Sequence, residues 1–276
     1  MIEPVLFFAV TPKDSDDELK IADALSQLLL EDKALQRRLD PNSGKLSVLG
    51  IDEIQLDKIR RRLQRDFGVR SEFGPYEVFG REAIRTRIRQ DATFTRELEG
   101  RRQFAHCVLE FEPLAEREGF EFISAVKGGG ISAPHVSAVE KGVREALQNG
   151  ISSGFPIVGV RATLVGGENR DNNSDELAFK IAGGMAVRSG CIKADPVVLE
   201  PIMKCEVGVP EKHVKAVVGD LNARRAKILD IAGTSIRSVK CTVPLSAMLD
   251  YAAAVLAITD NTATFVMSLS HFEERN

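Results

Sequence analysis

The two ends of the chain are built on the same short phrase. Glu3-Pro4-Val5 leads through an apolar run to Pro12, and Glu200-Pro201-Ile202 leads through another to Pro210. A short apolar run with proline at both ends reads as a strand, because proline neither continues a helix nor donates to a ladder. The stretches downstream of the two runs are also alike. After Val5–Val10, Ser15-x-x-Glu18 reads as a capping box, and Leu19, Ala22, Leu25, Leu28 and Leu29 recur at helical spacing. Strands Leu35–Asp40 and Lys45–Leu49 flank a Pro41-Asn42-Ser43-Gly44 turn. A helix from Asp52 sets Ile59, Leu63 and Phe67 on one face and ends near Gly68, and Val69–Phe73 closes as a strand.

The last segment repeats that order. Val198–Val207 is a strand, and Val214, Val217, Val218 and Leu221 form a helical face. Lys227–Ile231 and Ser238–Val243 are strands. Pro244 and Ser246 open a helix carrying Leu249, Ala253 and Leu256, and Thr264–His271 alternates Phe265, Met267 and Leu269 as a final strand. The order βαββαβ, met twice, predicts a weak internal repeat and two ferredoxin-like domains.

The middle segment differs. Strands are expected near Tyr76–Thr86, Phe104–Glu112, Phe120–Val126 and Ile157–Val165. One helix carries Val136, Val139, Val143 and Leu147. Another runs from Ser174 through Leu177, Ala178, Ile181, Ala182 and Met185 to Gly190. Three polar or glycine-rich loops interrupt these elements: Glu99–Arg102, Lys127–Gly130 and Gly166–Asn173. The expected domains are therefore 1–73, 74–196 and 197–276, within an α+β class.

Composition narrows the chemistry. The 276 residues are 43% hydrophobic and 28% charged, ordinary for a globular protein with real cores. The net charge is −3, so RNA contact requires a local basic patch. With no Trp and two Tyr, base-stacking platforms are scarce. Cys107, Cys191, Cys205 and Cys241 form no Cys-x-x-Cys pair and read as small buried hydrophobes. An acidic residue at position 3 and the lack of a long apolar run predict no secretory signal, no membrane span and a cytoplasmic protein.

No string matches the Gly-x-x-x-x-Gly-Lys-Ser/Thr phosphate loop, and Gly128-Gly129-Gly130 reads as a tight turn. Of the histidines, His106 is expected to be packed or half-exposed on a strand and His135 to lie at the surface. His213 and His271 have no evident partner. No nucleophile–base pair stands out, so no enzyme site is expected. Arg60, Arg61, Arg62 and Arg65 read as a solvated helix face or as phosphate contacts. Arg101, Arg102, Lys127 and Arg170 lie in three separate loops, which would form a basic tip if the loops met.

Several motifs resemble elongation factor G, a translational GTPase, across essentially the whole chain. Gly50-Ile51-Asp52-Glu53-Ile54-Gln55-Leu56 resembles the Gly-Met-Gly-Glu-Leu-His-Leu motif of its domain III, with Ile51, Asp52 and Gln55 in place of Met, Gly and His. Gly119–Ile123, Lys127–Gly129, Ala138–Gly142 and Ser174–Lys180 are similar to domain IV. Leu199–Val207, Val218–Arg225 and Val243–Met248 are similar to domain V.

The resemblance implies ferredoxin-like domains III and V around a domain IV with the fold of the second domain of ribosomal protein S5. It also implies the ribosome as partner: small-subunit decoding-region rRNA, with tRNA and mRNA, met by the domain IV tip during translocation. GTP and Mg would belong to an N-terminal G domain outside this chain, so no cofactor is expected here. Met1 would then begin a fragment, and the family's C-terminal helix would be missing after Asn276. A monomer is the expected state.

The candidate RNA-contact residues implied by the resemblance are Gly100, Arg101, Arg102, Gln103, Lys127 and Arg170. The family's Ser-Gly-Gly-Arg-Gly-Gln-Tyr-Gly is here Leu98–Ala105, where Arg101 and Gln103 match while Glu99, Arg102 and Ala105 replace glycines. Arg170 stands where the family commonly has His. These departures fit two alternatives within the family, a ribosome-recycling paralogue and a ribosomal-protection paralogue; an alternative of another class, a stand-alone RNA- or protein-binding module without nucleotide, requires the gene to begin at Met1.

Overall fold

The computed structural model describes residues 3–40, 44–98, 101–115, 119–126, 130–168 and 175–275, with the backbone alone for Leu98, Arg101 and Arg102. The chain divides into two compact units, Met1–Gly80 with Glu200–Glu273 and Arg81–Leu199 with Glu274–Asn276.

The first segment runs β1 (Leu6–Thr11), α1 (Ser15–Glu31), β2 (Gln36–Leu39), β3 (Leu46–Gly50), α2 (Glu53–Arg65), β4 (Glu72–Phe73) and β5 (Glu77–Val78). The sheet order β2-β3-β1-β4 is that of a ferredoxin-like fold, with β5 also on β1. β1 and β3 pair antiparallel, Leu6 opposite Gly50 and Phe8 opposite Val48. The α1 cap is Asp14, whose carboxylate accepts from Asp17 N–H at 2.8 Å, rather than the expected Ser15. The buried stripe of α1 is also rotated from the expected one. Ile21, Ala24, Leu25 and Leu28 face the sheet, while Leu19 and Ala22 are exposed. α2 buries Leu56, Ile59 and Leu63. Gly68, at φ +64°, turns the chain so that Val69 N–H reaches the Leu63 carbonyl.

The middle segment contains β6 (Arg81–Ile84), β7 (Ile88–Leu98), β8 (Arg101–Pro113), β9 (Phe120–Ser124), α3 (Ala133–Gln148), β10 (Val160–Glu168) and α4 (Glu176–Cys191). The expected strand Tyr76–Thr86 is broken into β5 and β6. β7, which the sequence pattern missed, is the edge of a β7-β8-β10-β9 sheet. Among its described side chains Ala92 alone is buried, while Arg89, Asp91, Thr93 and Thr95 face solvent, so its apolar alternation is faint. β8 pairs antiparallel with β7 and β10, and β10 runs parallel to β9 through the α3 crossover. α3 and α4 meet at glycines. A Cβ on Gly142 would lie 1.9 Å from the Lys180 carbonyl oxygen, and one on Gly183 would lie 2.7 Å from that of Val139. Phe111, Leu109, Val139, Val143, Phe179 and Val187 fill the core beneath.

The last segment runs β11 (Pro196–Pro210), α5 (Val214–Ala223), β12 (Lys227–Gly233), β13 (Ile236–Pro244), α6 (Tyr251–Ile258) and β14 (Thr264–Glu274). The order β12-β13-β11-β14 repeats that of the first sheet. Ile202 stands opposite Pro244 as Leu6 stands opposite Gly50. Pro244 and Ser246 open a short 3-10 turn, not a long helix, and α6 begins at Tyr251. Tyr251 and Val255 are its buried side chains, while Ala253 and Leu256 are exposed.

One continuous apolar core serves both ferredoxin-like sheets, with Phe8, Leu25, Leu56 and Leu63 from the first and Val207, Val217, Val239 and Val243 from the last. Each Å² of apolar surface buried there stabilises the unit by ~25 cal/mol. All four cysteines are buried, as expected.

Candidate functional site

The three loops singled out in the middle segment have their described ends close together. β7 and β8 pair down to Leu98 opposite Arg101. Gln103 on β8 donates its side-chain Nε2–H to Asp175 Oδ2 at 2.7 Å. Asp175 caps α4, its Oδ1 accepting from Ala178 N–H at 2.7 Å. This one carboxylate therefore ties the β7–β8 hairpin to the residue from which α4 starts.

The third loop arrives at the same end. β10 finishes with Gly167 opposite Cys107 and Glu168 opposite His106. A Cβ on Gly167 would sit 2.4 Å from the His106 carbonyl oxygen and 2.3 Å from Ile131 Cδ1. A Cβ on Gly130 would lie 3.0 Å from the Gly167 carbonyl oxygen. Gly130 and Ile131, which lead into α3, thus pack on the last residues of β10. Glycine at 167 permits that approach.

Of the six candidate residues, Gln103 is placed with its side chain. Arg101 and Arg102 are placed by backbone, on β8 opposite Leu98 and Glu97. Gly100, Lys127 and Arg170 lie outside the described residues. The described side chains nearby include Glu97, Glu168, Asp175 and Glu176 beside Arg96. The described side chains there are thus mostly acidic, with Arg96 as a cation among them.

The histidines sort by environment. His106 is half-buried on β8, its Nε2 3.2 Å from Asp91 Oδ1, as a strand histidine should be. His135 is not a simple surface residue. It stacks on Phe179 at 4.5 Å between centroids, and its Nδ1 is buried without a hydrogen-bond partner among the described residues. The reason is the tight α3–α4 approach, which brings the first turns of both helices together. His213 Nε2 lies 3.6 Å from Asp260 Oδ2, and His271 Nε2 lies 2.7 Å from Glu273 Oε1. Among the described residues no group of three His, Cys, Asp or Glu side chains is arranged to hold a metal. Among the described residues no helix is long and apolar enough to cross a membrane.

Two polar features escaped the sequence reading. Glu82 is fully buried, and its carboxylate accepts backbone N–H groups of Ile151, Ser152, Ser153 and Phe155 at 2.8, 3.1, 2.7 and 3.3 Å. Nothing local in the sequence marks it. Gln55 accepts from Ile51 N–H at 2.8 Å and donates to Asp32 Oδ2 at 2.7 Å. A Cβ on Gly50 would lie 2.5 Å from Gln55 Oε1, so the Gly50–Leu56 motif is a strand-to-helix turn locked by its glutamine.

The architecture defines a class, an α+β protein in which two ferredoxin-like modules flank an S5 domain 2-like module. Family models agree segment by segment: elongation factor G domain III matches residues 1–75, domain IV matches 77–195, and the elongation factor G C-terminus matches 197–276. Elongation factor G of Fervidobacterium nodosum is 40% identical over 273 residues, covering 99% of this chain and 40% of that protein. Elongation factor G of Aquifex pyrophilus is 38% identical over 274 residues, covering 99% and 39%. A crystal structure of a Thermus thermophilus protein superposes with a TM-score of 0.77 at 32% identity, covering 100% of this chain and 41% of that one. The chain belongs to the elongation factor G family of translation factors, in the portion that carries domains III, IV and the C-terminal domain. It spans about 40% of the length of the curated relatives it matches.

Proposed function

We propose that the chain is the ribosome-contacting portion of a translational GTPase of the elongation factor G type, acting in tRNA and mRNA translocation. In this reading GTP and Mg belong to a G domain elsewhere in the parent, and residues 1–276 act by binding. The domains are 1–73, 74–196 and 197–276, and the partners are small-subunit decoding-region rRNA, tRNA and mRNA. The protein works as a cytoplasmic monomer.

The observation that carries the reading is the gathering of loop ends by the Gln103–Asp175 hydrogen bond and the Gly130–Gly167 approach. Elements that hold three basic loops at one end suit contact with a phosphate backbone, where charge and position matter more than reactivity. The test is co-sedimentation of the full-length parent with ribosomes across a salt series. Arg101→Ala with Arg170→Ala is expected to weaken binding and flatten the salt slope by about 2, one per phosphate contact. Unchanged binding at every salt concentration would remove the tip from the reading.

Glu99, Arg102, Ala105 and Arg170 favour a second reading, a recycling or protection paralogue, because they replace family residues in the loops themselves. Translocation and subunit-splitting assays on the full-length protein separate the two.

A further inference from the structure

α2 is the most basic element of a chain whose net charge is −3. Its thirteen residues carry five basic side chains against Glu53 and Asp57. The structure divides those five into two groups. Arg62 is committed internally: it grips the Glu31 carboxylate at 2.5 and 3.3 Å and reaches Asp66 at 3.3 Å. Arg60 lies over the Phe73 ring at 5.2 Å and donates to the Phe73 carbonyl. Lys58, Arg61 and Arg65 are all turned to the surface. Among the described residues Lys58 and Arg65 make no ion pair within 4 Å, although the Lys58 charge still helps to hold the Glu31 and Asp32 carboxyls down, and Arg61 reaches Asp57 at 3.7 Å.

These three residues are spaced i, i+3 and i+7, which places them on one stripe of the helix. At 1.5 Å of rise per residue, the stripe is about 10 Å long. Beside it the surface is concave, lined by Ile54, Lys58, Arg61, Arg62 and Arg65 together with the carboxylates of Asp57 and Asp66, so cations outnumber anions there by four to two. The dipole of the helix accounts for cations in its last turn, as at Arg62 and Arg65, but not for Lys58 or Arg61 in its middle.

We propose that the Lys58–Arg61–Arg65 stripe is an RNA-backbone contact, a phosphate-binding surface of the first ferredoxin-like segment. Three cations at one-turn intervals suit a row of phosphates, each contact releasing counterions. A protein partner fits less well. Ile54, 82% exposed, is the one apolar residue on the stripe and no exposed position there is aromatic, so it lacks the anchor on which protein interfaces are built. The proposal requires RNA but not translocation, and it stands apart from the loop-end reading.

The experiment measures binding of the 276-residue chain to labelled oligouridylate and to naked small-subunit rRNA over a salt series. Lys58→Gln/Arg61→Gln/Arg65→Gln is expected to weaken both and to flatten the salt slope by about 2, at roughly 0.7 per single-strand phosphate. Lys204→Gln/Lys215→Gln/Lys240→Gln, which removes the same charge from exposed positions elsewhere, should have the smaller effect. Arg62→Gln should lower the melting temperature and leave the salt slope alone, separating the internal cations from the binding ones. Equal effects of the two triple variants, or an unchanged slope in the first, would overturn the proposal. So would polyglutamate competing as well as oligouridylate, which would make the occupant an acidic protein surface. If ribosome binding by the parent fails while the stripe effect on RNA persists, the translocation reading falls and this one stands.

Discussion

Asp175 uses one carboxylate oxygen to cap α4 and the other to accept from Gln103, 72 residues earlier in the chain. Asp175→Ala should therefore cost more than an ordinary cap, about 1–2 kcal/mol by urea unfolding. Gln103→Ala should cost about 0.5–1 kcal/mol, because its bond is exposed. The double variant should be less than additive, since both remove the same bond. Full additivity would show that the bond does not hold the loop ends together.

Glu82 is a buried side chain whose carboxyl oxygens accept from four backbone N–H groups. Glu82→Ala leaves those donors without an acceptor and should destabilise the chain by about 3–5 kcal/mol. Glu82→Gln keeps one acceptor oxygen and should fall between. A change below about 1 kcal/mol in chemical denaturation would contradict this account.

Gly142→Ala places a methyl 1.9 Å from the Lys180 carbonyl oxygen, so α3 and α4 must separate. The expected cost is at least about 2 kcal/mol, seen as a lower melting temperature. Gly219→Ala is the counterpart. It lies inside α5, where a Cβ meets nothing within 4 Å, and should stabilise by up to about 1 kcal/mol.

Two carboxylates should respond to pH with opposite signs. Asp17 is held below its ordinary value of 3.8, chiefly by the Arg70 backbone N–H and further by the Ser71 hydroxyl, with burial opposing. Its contribution is present above the unfolded pKa and is lost as pH falls through the lower folded value. The stability gap between wild type and Asp17→Asn should accordingly close below about pH 4. Glu53 is pushed above 4.5, first by burial and then by Asp57, Asp250 and Asp52. The favourable state is the protonated one, complete below the unfolded pKa and lost as pH rises through the folded value. Glu53→Gln should raise the melting temperature near pH 7 and do little near pH 4, within about a unit of the ordinary glutamate value. Melting curves over that range check both.

The element order was legible where periodicity was strong. α2 buries Ile59 and Leu63 as its spacing implies, and Gly68 takes the left-handed turn expected of it. Errors arose where neighbouring residues offered the same chemistry or where the apolar signal was thin. Asp14 and Ser15 are both good caps, and only the path of the chain selects Asp14. In α1, Leu19 and Ile21 are equally apolar, and the sheet chooses Ile21. Among its described side chains β7 has one small buried residue, Ala92, so nothing local announced a strand of eleven residues. At the candidate site, sequence supplied the loops and their basic residues but not the closeness of the described loop ends, Gln103 to Asp175 and Gly130 to Gly167.

By itself the sequence determined the two βαββαβ orders, the buried cysteines and the family motifs, because each is written in residues close together in the chain. Short-range periodicity, capping and turn chemistry act within such windows. The tertiary structure alone decided that both ferredoxin-like segments share a core, that Glu82 is solvated by backbone about 70 residues away, and that Gln103 meets Asp175. It also decided which α2 cations are held internally and which are turned outward. Those outcomes depend on packing between distant segments, where burial and hydrogen-bond satisfaction select partners that no local pattern encodes.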